Sequence, residues 1–173
     1  MSKVIKCKLD TNSIQQAIDE LKTYKDNLDN KLIEFVTVLF QDGMAEAKSR
    51  LATTQGDSTN ASVGGVVPVK TGNKVVATIY LVGKDALFVE FGAGIHYNNG
   101  NAHPKAAELG YGVGTYPDQK YAINPGYWYW YEGKGKSKVA HFSLGTEASM
   151  PIYYASETIR NNAVARAAEV FRS

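Results

Sequence analysis

Apolar side chains fall at Ile14, Ile18, Leu21, Leu28, Leu32, Phe35 and Leu39, in steps of 4, 3, 7, 4, 3 and 4. That is a heptad-like helical stripe in which Lys25 fills the missing seat. Val36 and Phe40 widen it in its second half, and Met44, Ala47, Lys48 and Leu51 carry the period past Gly43, a weak helix former. Ser13 with Gln16 three residues on reads as a capping box. The pattern predicts one helix over residues 13–52, with room for a kink at Gly43. Its second half is expected on a sheet and its first half on another subunit. Residues 53–62 read as a polar loop.

The period then changes from helical to alternating. Val75, Ala77, Ile79 and Leu81 interleave with Val76, Thr78, Tyr80 and Val82, which predicts a strand over Lys74 to Val82. A weaker strand precedes it over Val63 to Lys70, where Pro68 argues for an edge. Thr71-Gly72-Asn73 supplies the hairpin turn. A short helix follows around Glu90, with Asp85 as its expected cap. Residues 92–124 are rich in Gly, Asn and Tyr and read as a long irregular loop, of the kind that serves function or an interface. Tyr127 to Tyr131 and Val139 to Leu144 form a second predicted hairpin. In the first of these strands Tyr127, Tyr129 and Tyr131 lie on one face and Trp128 and Trp130 on the other, so both faces call for a cover from this chain or a partner. The last helix begins near Ser149 with Pro151 in its first turn. The prediction is an α+β fold: long N-terminal and C-terminal helices on a small, mainly antiparallel β-sheet. It forms one domain over residues 1–173, with the sheet, short helix and long loop over 63–148 and the C-terminal helix over 149–173.

The run Ala86-Leu87-Phe88-Val89-Glu90-Phe91-Gly92-Ala93-Gly94 is apolar but for one carboxylate. Burying a lone charge costs several kcal/mol, so Glu90 needs partners: a cap, or hydrogen bonds from nearby backbone. The Val-Glu-Phe-Gly-x-Gly order resembles the signature of a tailed-bacteriophage neck, head–tail connector or tail-completion family. Leu109 to Pro117, the aromatic strand Gly126 to Tyr131 and Met150-Pro151-Ile152-Tyr153-Tyr154-Ala155 extend the resemblance to the C-terminus. The long Gly/Tyr insertion is not shared by every member of that family.

The resemblance implies a structural, non-enzymatic virion protein without a cofactor. Such a protein forms a six- or twelve-fold ring at the head–tail junction of a phage or phage-like particle, assembled in the bacterial cytoplasm. Its implied partners are further copies of itself, the head connector on the portal side and the tail terminator or tail tube, with DNA passing through the lumen. A tail terminator capping the tube is the close alternative. Glu90, Phe91, Gly92 and Gly94 match the family pattern and are the expected loop anchor. They and Tyr127, Trp128 and Trp130 are the expected interface residues. Glu90→Ala is expected to harm assembly more than monomer folding.

Composition narrows this further. The 173 residues carry a net charge of +2, which gives no bulk electrostatic argument for nucleic-acid binding. One cysteine, Cys7, excludes an intrachain disulfide, and no run approaches the length of a membrane span. With no secretion signal visible, the chain is expected to be soluble where it is made. Lys134, Lys136 and Lys138 sit on the second hairpin's loop; a solvated tip is the simpler reading and a DNA-facing finger the functional one. His96 and His103 share the long loop near Glu108, but the spacing matches no zinc signature, and His141 lies apart on a strand. Gly110-x-Gly112-x-Gly114 lacks the dinucleotide fingerprint's spacing. A distant alternative makes the chain a carbohydrate-binding module, with the aromatic strand stacking sugars, or a hydrolase. In the hydrolase Glu90 is the acid, and Asp85, Glu108, Asp118 or Glu132 the second carboxylate.

Overall fold

A computed structural model describes residues 5, 7–54, 60–92, 103–111, 128–132, 138–143 and 145–172, with backbone alone at 128–132 and 143. Helix α1 (Thr11–Ala52) is followed by β1 (Ser62–Thr71), β2 (Lys74–Val82), α2 (Ala86–Phe91), α3 (Ala106–Leu109), β3 (Trp128–Glu132), β4 (Val139–Ser143) and α4 (Pro151–Arg172). The fold is α+β, as the periodicity predicts. The strands form two separate antiparallel hairpins, β1–β2 and β3–β4.

Helix α1 starts two residues earlier than predicted, because Asp10 is its cap: the Asp10 carboxylate accepts from Ser13 N at 2.9 Å. Ser13 lies inside the helix, and its hydroxyl accepts from Lys8 N instead. At about 1.5 Å per residue α1 is roughly 63 Å long, about twice the length of α4. The two run antiparallel. Lys31 Nζ donates to the Val170 carbonyl at 3.2 Å, and the Phe35 and Phe171 rings sit 5.9 Å apart. Arg166 Nε donates to Asp42 Oδ2 at 2.9 Å, and the Arg50 guanidinium lies 3.6 Å over the Tyr154 ring. This pairing begins at residue 31, so the first half of α1 extends past the end of α4.

Gly43 marks the closest approach. A Cβ there would lie 2.6 Å from Ile159 Cδ1 and 2.7 Å from Ile79 Cδ1. The glycine that weakens the helix pattern is thus where α1, α4 and β2 meet. Gly65 does the same for the hairpin: its missing side chain admits the Phe40 ring. The inner face of β2 (Val75, Ala77, Ile79, Leu81) is half-buried against the helices, while Val76, Thr78, Tyr80 and Val82 point away from them.

Gly72 (φ +60°) and Asn73 close the β1–β2 turn in the arrangement that matches strand twist. Between Val66 and Val69 the register slips by one residue, so Val67 and Pro68 together oppose a single position of β2. Pro68, which cannot donate to the ladder, is accommodated in this bulge. Asp85 precedes α2 but does not cap it; its Oδ2 accepts from Asn60 N at 3.0 Å and ties the entry of β1 to the exit of β2.

The Asp42 carboxyl is held below the ordinary carboxylate value of 3.8 by the Arg166 hydrogen bonds. Desolvation opposes this in part, and the Asn162 amide adds to it. A carboxylate whose pKa is depressed by folding stabilises the native state above its unfolded value, and that contribution is lost as pH falls through the folded value. Asp42→Asn should therefore lower Tm by a constant amount from pH 7 to pH 5. The gap to wild type should close below about pH 4 in a thermal-denaturation series.

Candidate functional site

Helix α2 is one and a half turns long and ends beside the start of α4. The carbonyl of Val89, which is fully buried, accepts from Ser149 N at 2.9 Å and from Met150 N at 3.3 Å. The next residue supplies a carboxylate to the same place. Glu90 Oε2 accepts from Ile152 N at 2.9 Å, and Oε1 accepts from Tyr153 N at 2.9 Å. These are first-turn amides of α4, which have no intrahelical acceptor. A negative side chain here also meets the positive end of the helix dipole.

His103 completes the shell. Lys105 N donates to His103 Nδ1 at 3.0 Å, so Nδ1 carries no proton. The proton resides on Nε2, which donates to Glu90 Oε1 at 3.2 Å. Glu90 and His103 are both buried, and their pairing is a neutral imidazole donating to a carboxylate. The Phe91 ring stacks on Tyr111 at 4.3 Å and tilts against His103 at 4.4 Å. The Tyr153 ring meets the imidazole edge-on at 5.3 Å.

Two backbone features make the joint possible. Met150 adopts φ +53°, rare for a residue with a Cβ, and swings the chain into Pro151 at the first helical position. Gly92 has φ +77°, and a Cβ there would sit 3.2 Å from both the Cβ and the backbone N of Ala148. The backbone conformation requires glycine at 92, and the close approach of Ala148 adds to that preference.

Of the residues singled out in the sequence, Glu90, Phe91 and Gly92 thus converge on the entry to α4. Gly94, Tyr127, Lys134 and Lys136 lie outside the described residues, as do His96, Asp118 and most of the long loop. Trp128 and Trp130 are on β3, their side chains undescribed; Lys138 is exposed just before β4. His103 stands with Glu90 rather than with Glu108, which pairs on the surface with Lys105 at 3.0 Å. His141 lies on β4, paired in register with Trp130. Among the described residues no three His, Cys, Asp or Glu side chains come together as a metal site. Sequence reasoning did not find Ile152, Tyr153 and His103 as the partners of Glu90.

A cleft of about 690 Å³ opens beside this joint, lined by Leu81, Leu87, Glu90, His103, Tyr153 and Arg160 among others. Three donors already occupy the Glu90 carboxylate, which limits what it can offer to a ligand. As for a second carboxylate, Asp85 is held by Asn60, and Glu108 by Lys105. The chemistry that the geometry displays is that of a fixed cap. Comparison with protein-family models, with curated protein sequences and with solved structures finds no match. Among the described residues no helix is long and apolar enough to cross a membrane.

Glu90 is thus occupied inside its own chain, which shifts the expected effect of replacing it from assembly to the stability of the monomer. Glu90→Ala leaves two amides and an imidazole N–H without their acceptor and should cost about 3 kcal/mol. Glu90→Gln, which keeps one acceptor oxygen and loses the charge, should cost about half of that. Urea titrations of the two variants check this; equal stability of Glu90→Ala and wild type would remove the cap from the argument.

Proposed function

We propose that the chain is a structural subunit that self-associates into a ring at the head–tail junction of a phage or phage-like particle. The observation that carries this reading is the apolar surface left uncovered among the described residues. Ile14, Ile18, Leu21, Tyr24 and Leu28 line the free half of α1 at 40 to 55% exposure. Val66, Val69, Val76, Tyr80 and Val82 do so on the outer face of β1–β2 at 41 to 53%. Each face leaves on the order of 400 Å² of apolar area, the size of the largest and often functional patch on a typical monomer, and this chain carries two of them. Among the described residues the largest fully buried side chains are only Val89 and Pro151. Such a thin interior suits a part that is completed by its neighbours.

Placement at the neck rests on the Val89-Glu90-Phe91-Gly92 order and on the resemblance of the downstream segments to neck and tail-completion proteins. The cap geometry supplies a physical reason for that order: carboxylate for the helix start, ring for the stack, glycine for the close turn. Head connector on one side and tail terminator or tube on the other are the partners of this reading. Passing DNA would face the lumen.

Gold-labelled antibody against the chain, applied to particles from producing cells and viewed by electron microscopy, tests the placement. Label concentrated at the junction of head and tail is the expected result. Label confined to the head-proximal tip of headless tails would assign the terminator role instead, and particles without label would overturn the reading.

A further inference from the structure

We infer that the free half of α1 is an arm that lies on the outer face of the β1–β2 hairpin of a second copy. The inference rests on the self-assembly part of the function proposed above, and not on the placement in a phage.

Strand β2 is apolar on both faces. Its inner side chains are half-buried against α1 and α4, whereas Val76, Tyr80 and Val82 on the outer side are 53, 41 and 46% exposed. Across the ladder Ser62, Gly64 and Val69 pair with Val82, Tyr80 and Val76, and Val66 pairs with Thr78. Strands that are apolar on both faces belong to sheets covered on both sides, and among the described residues this hairpin is covered on one. The arm has the opposite shortage. Ile14, Ile18, Leu21 and Leu28 form a narrow ridge that continues the packed stripe of α1 beyond the point where Lys70 pairs with Asp29. From there to its start nothing among the described residues covers it.

The two surfaces match in length, area and charge. Residues 11–28 span roughly 27 Å of helix, and the nine residues of β2 about 30 Å of strand. Joining the two apolar faces buries roughly 800 Å², and since about 60% of an interface is apolar, the whole contact comes to about 1,300 Å². That falls within the range of specific, stable interfaces. From Ser62 to Lys84 the hairpin carries no acidic residue, and besides Lys70, which is paired with Asp29, it carries Lys74 and Lys84. From Asp10 to Leu28 the arm carries Asp10, Asp19, Glu20 and Asp26 against Lys22 and Lys25, a net charge of −2. Acidic arm and basic hairpin attract.

An arm-to-arm coiled coil fits less well. Lys25 occupies a core seat of the stripe, and a parallel pair would set two ammonium groups against each other. On a sheet face the same side chain lays its stem along the surface and extends its charge past the rim. Because the arm of one copy meets the hairpin of the next, the contact is heterologous, and repetition closes a ring where the rotation allows it.

Light scattering of two blocked variants tests the contact. Leu21→Glu blocks the arm and Val76→Glu blocks the hairpin; both positions are exposed, and circular dichroism checks the fold. Ile18→Glu and Val69→Glu form an independent second pair. Wild type should form an oligomer larger than a dimer. Each variant alone should be monomeric, with self-affinity reduced by at least about 100-fold. An equal mixture of the two should give a 1:1 complex, since each supplies the face the other lacks, and a misfolded variant could not form it. Oligomers of Val76→Glu alone, or a mixture that stays monomeric, would overturn the contact. A wild-type oligomer untouched by either substitution would overturn the contact and leave self-assembly standing. A monomeric wild type at every concentration would overturn both.

Discussion

Helix α4 has no side chain of its own to cap it. Met150 precedes Pro151, and the amides of Ile152 and Tyr153 would be orphaned without the carboxylate of Glu90, 62 residues earlier in the chain. Glu90 in turn would be a lone buried charge without those amides and His103. Each shortfall answers the other, and the exchange fixes the start of α4 relative to α2. From that origin α4 runs along α1, and the Asp42–Arg166 pair, the Gly43 crossing and the Arg50–Tyr154 contact fall into register. The β1–β2 hairpin, packed beneath both helices, takes its position from the same arrangement.

Much of this architecture was legible in the chain. The stripe from Ile14 to Leu39 and the alternation from Val75 to Val82 gave both main elements nearly to their ends, because burial on one face leaves its period in the sequence. The capping-box pattern points to Ser13, whereas Asp10 caps α1. Asp10 and Ser13 are equally good capping residues, and only the three-dimensional path of residues 8–13 decides between them. By propensity Gly43 is a local weakness, whereas in the fold it is a contact. A helical propensity describes a helix in isolation, and the Ile159 and Ile79 side chains that fill the space come from distant segments.

At the joint, the type of partner for Glu90 was legible and its identity was not. A carboxylate in an apolar run demands donors, and the sequence points to backbone amides as one source. Which amides requires the topology. Ser149 suggests a cap for α4, whereas the helix begins at Met-Pro, which offers no capping oxygen. A helix start lacking an acceptor and a buried acid lacking donors are complementary clues. His103 gave no such clue, since an isolated histidine in a polar loop has no distinctive spacing.

The same rigidity explains why the uncovered surfaces carry meaning. Ile18 and Leu21 on the arm and Val76 on the hairpin belong to elements held firmly elsewhere along their length, so neither face can turn inward to hide its apolar side chains. Under the proposed function these fixed and exposed faces would be covered by another copy of the chain.

The placement of α4 depends on Glu90 acting as a permanent tie, and amide hydrogen exchange on the wild-type chain reads this directly. First-turn amides of a helix ordinarily exchange fast, because they have no intrahelical acceptor. If Glu90 holds them, Ile152 and Tyr153 should exchange only with global unfolding, as slowly as the centre of α4. Fast exchange at these two amides, with the rest of α4 protected, would contradict the tie and the arrangement derived from it.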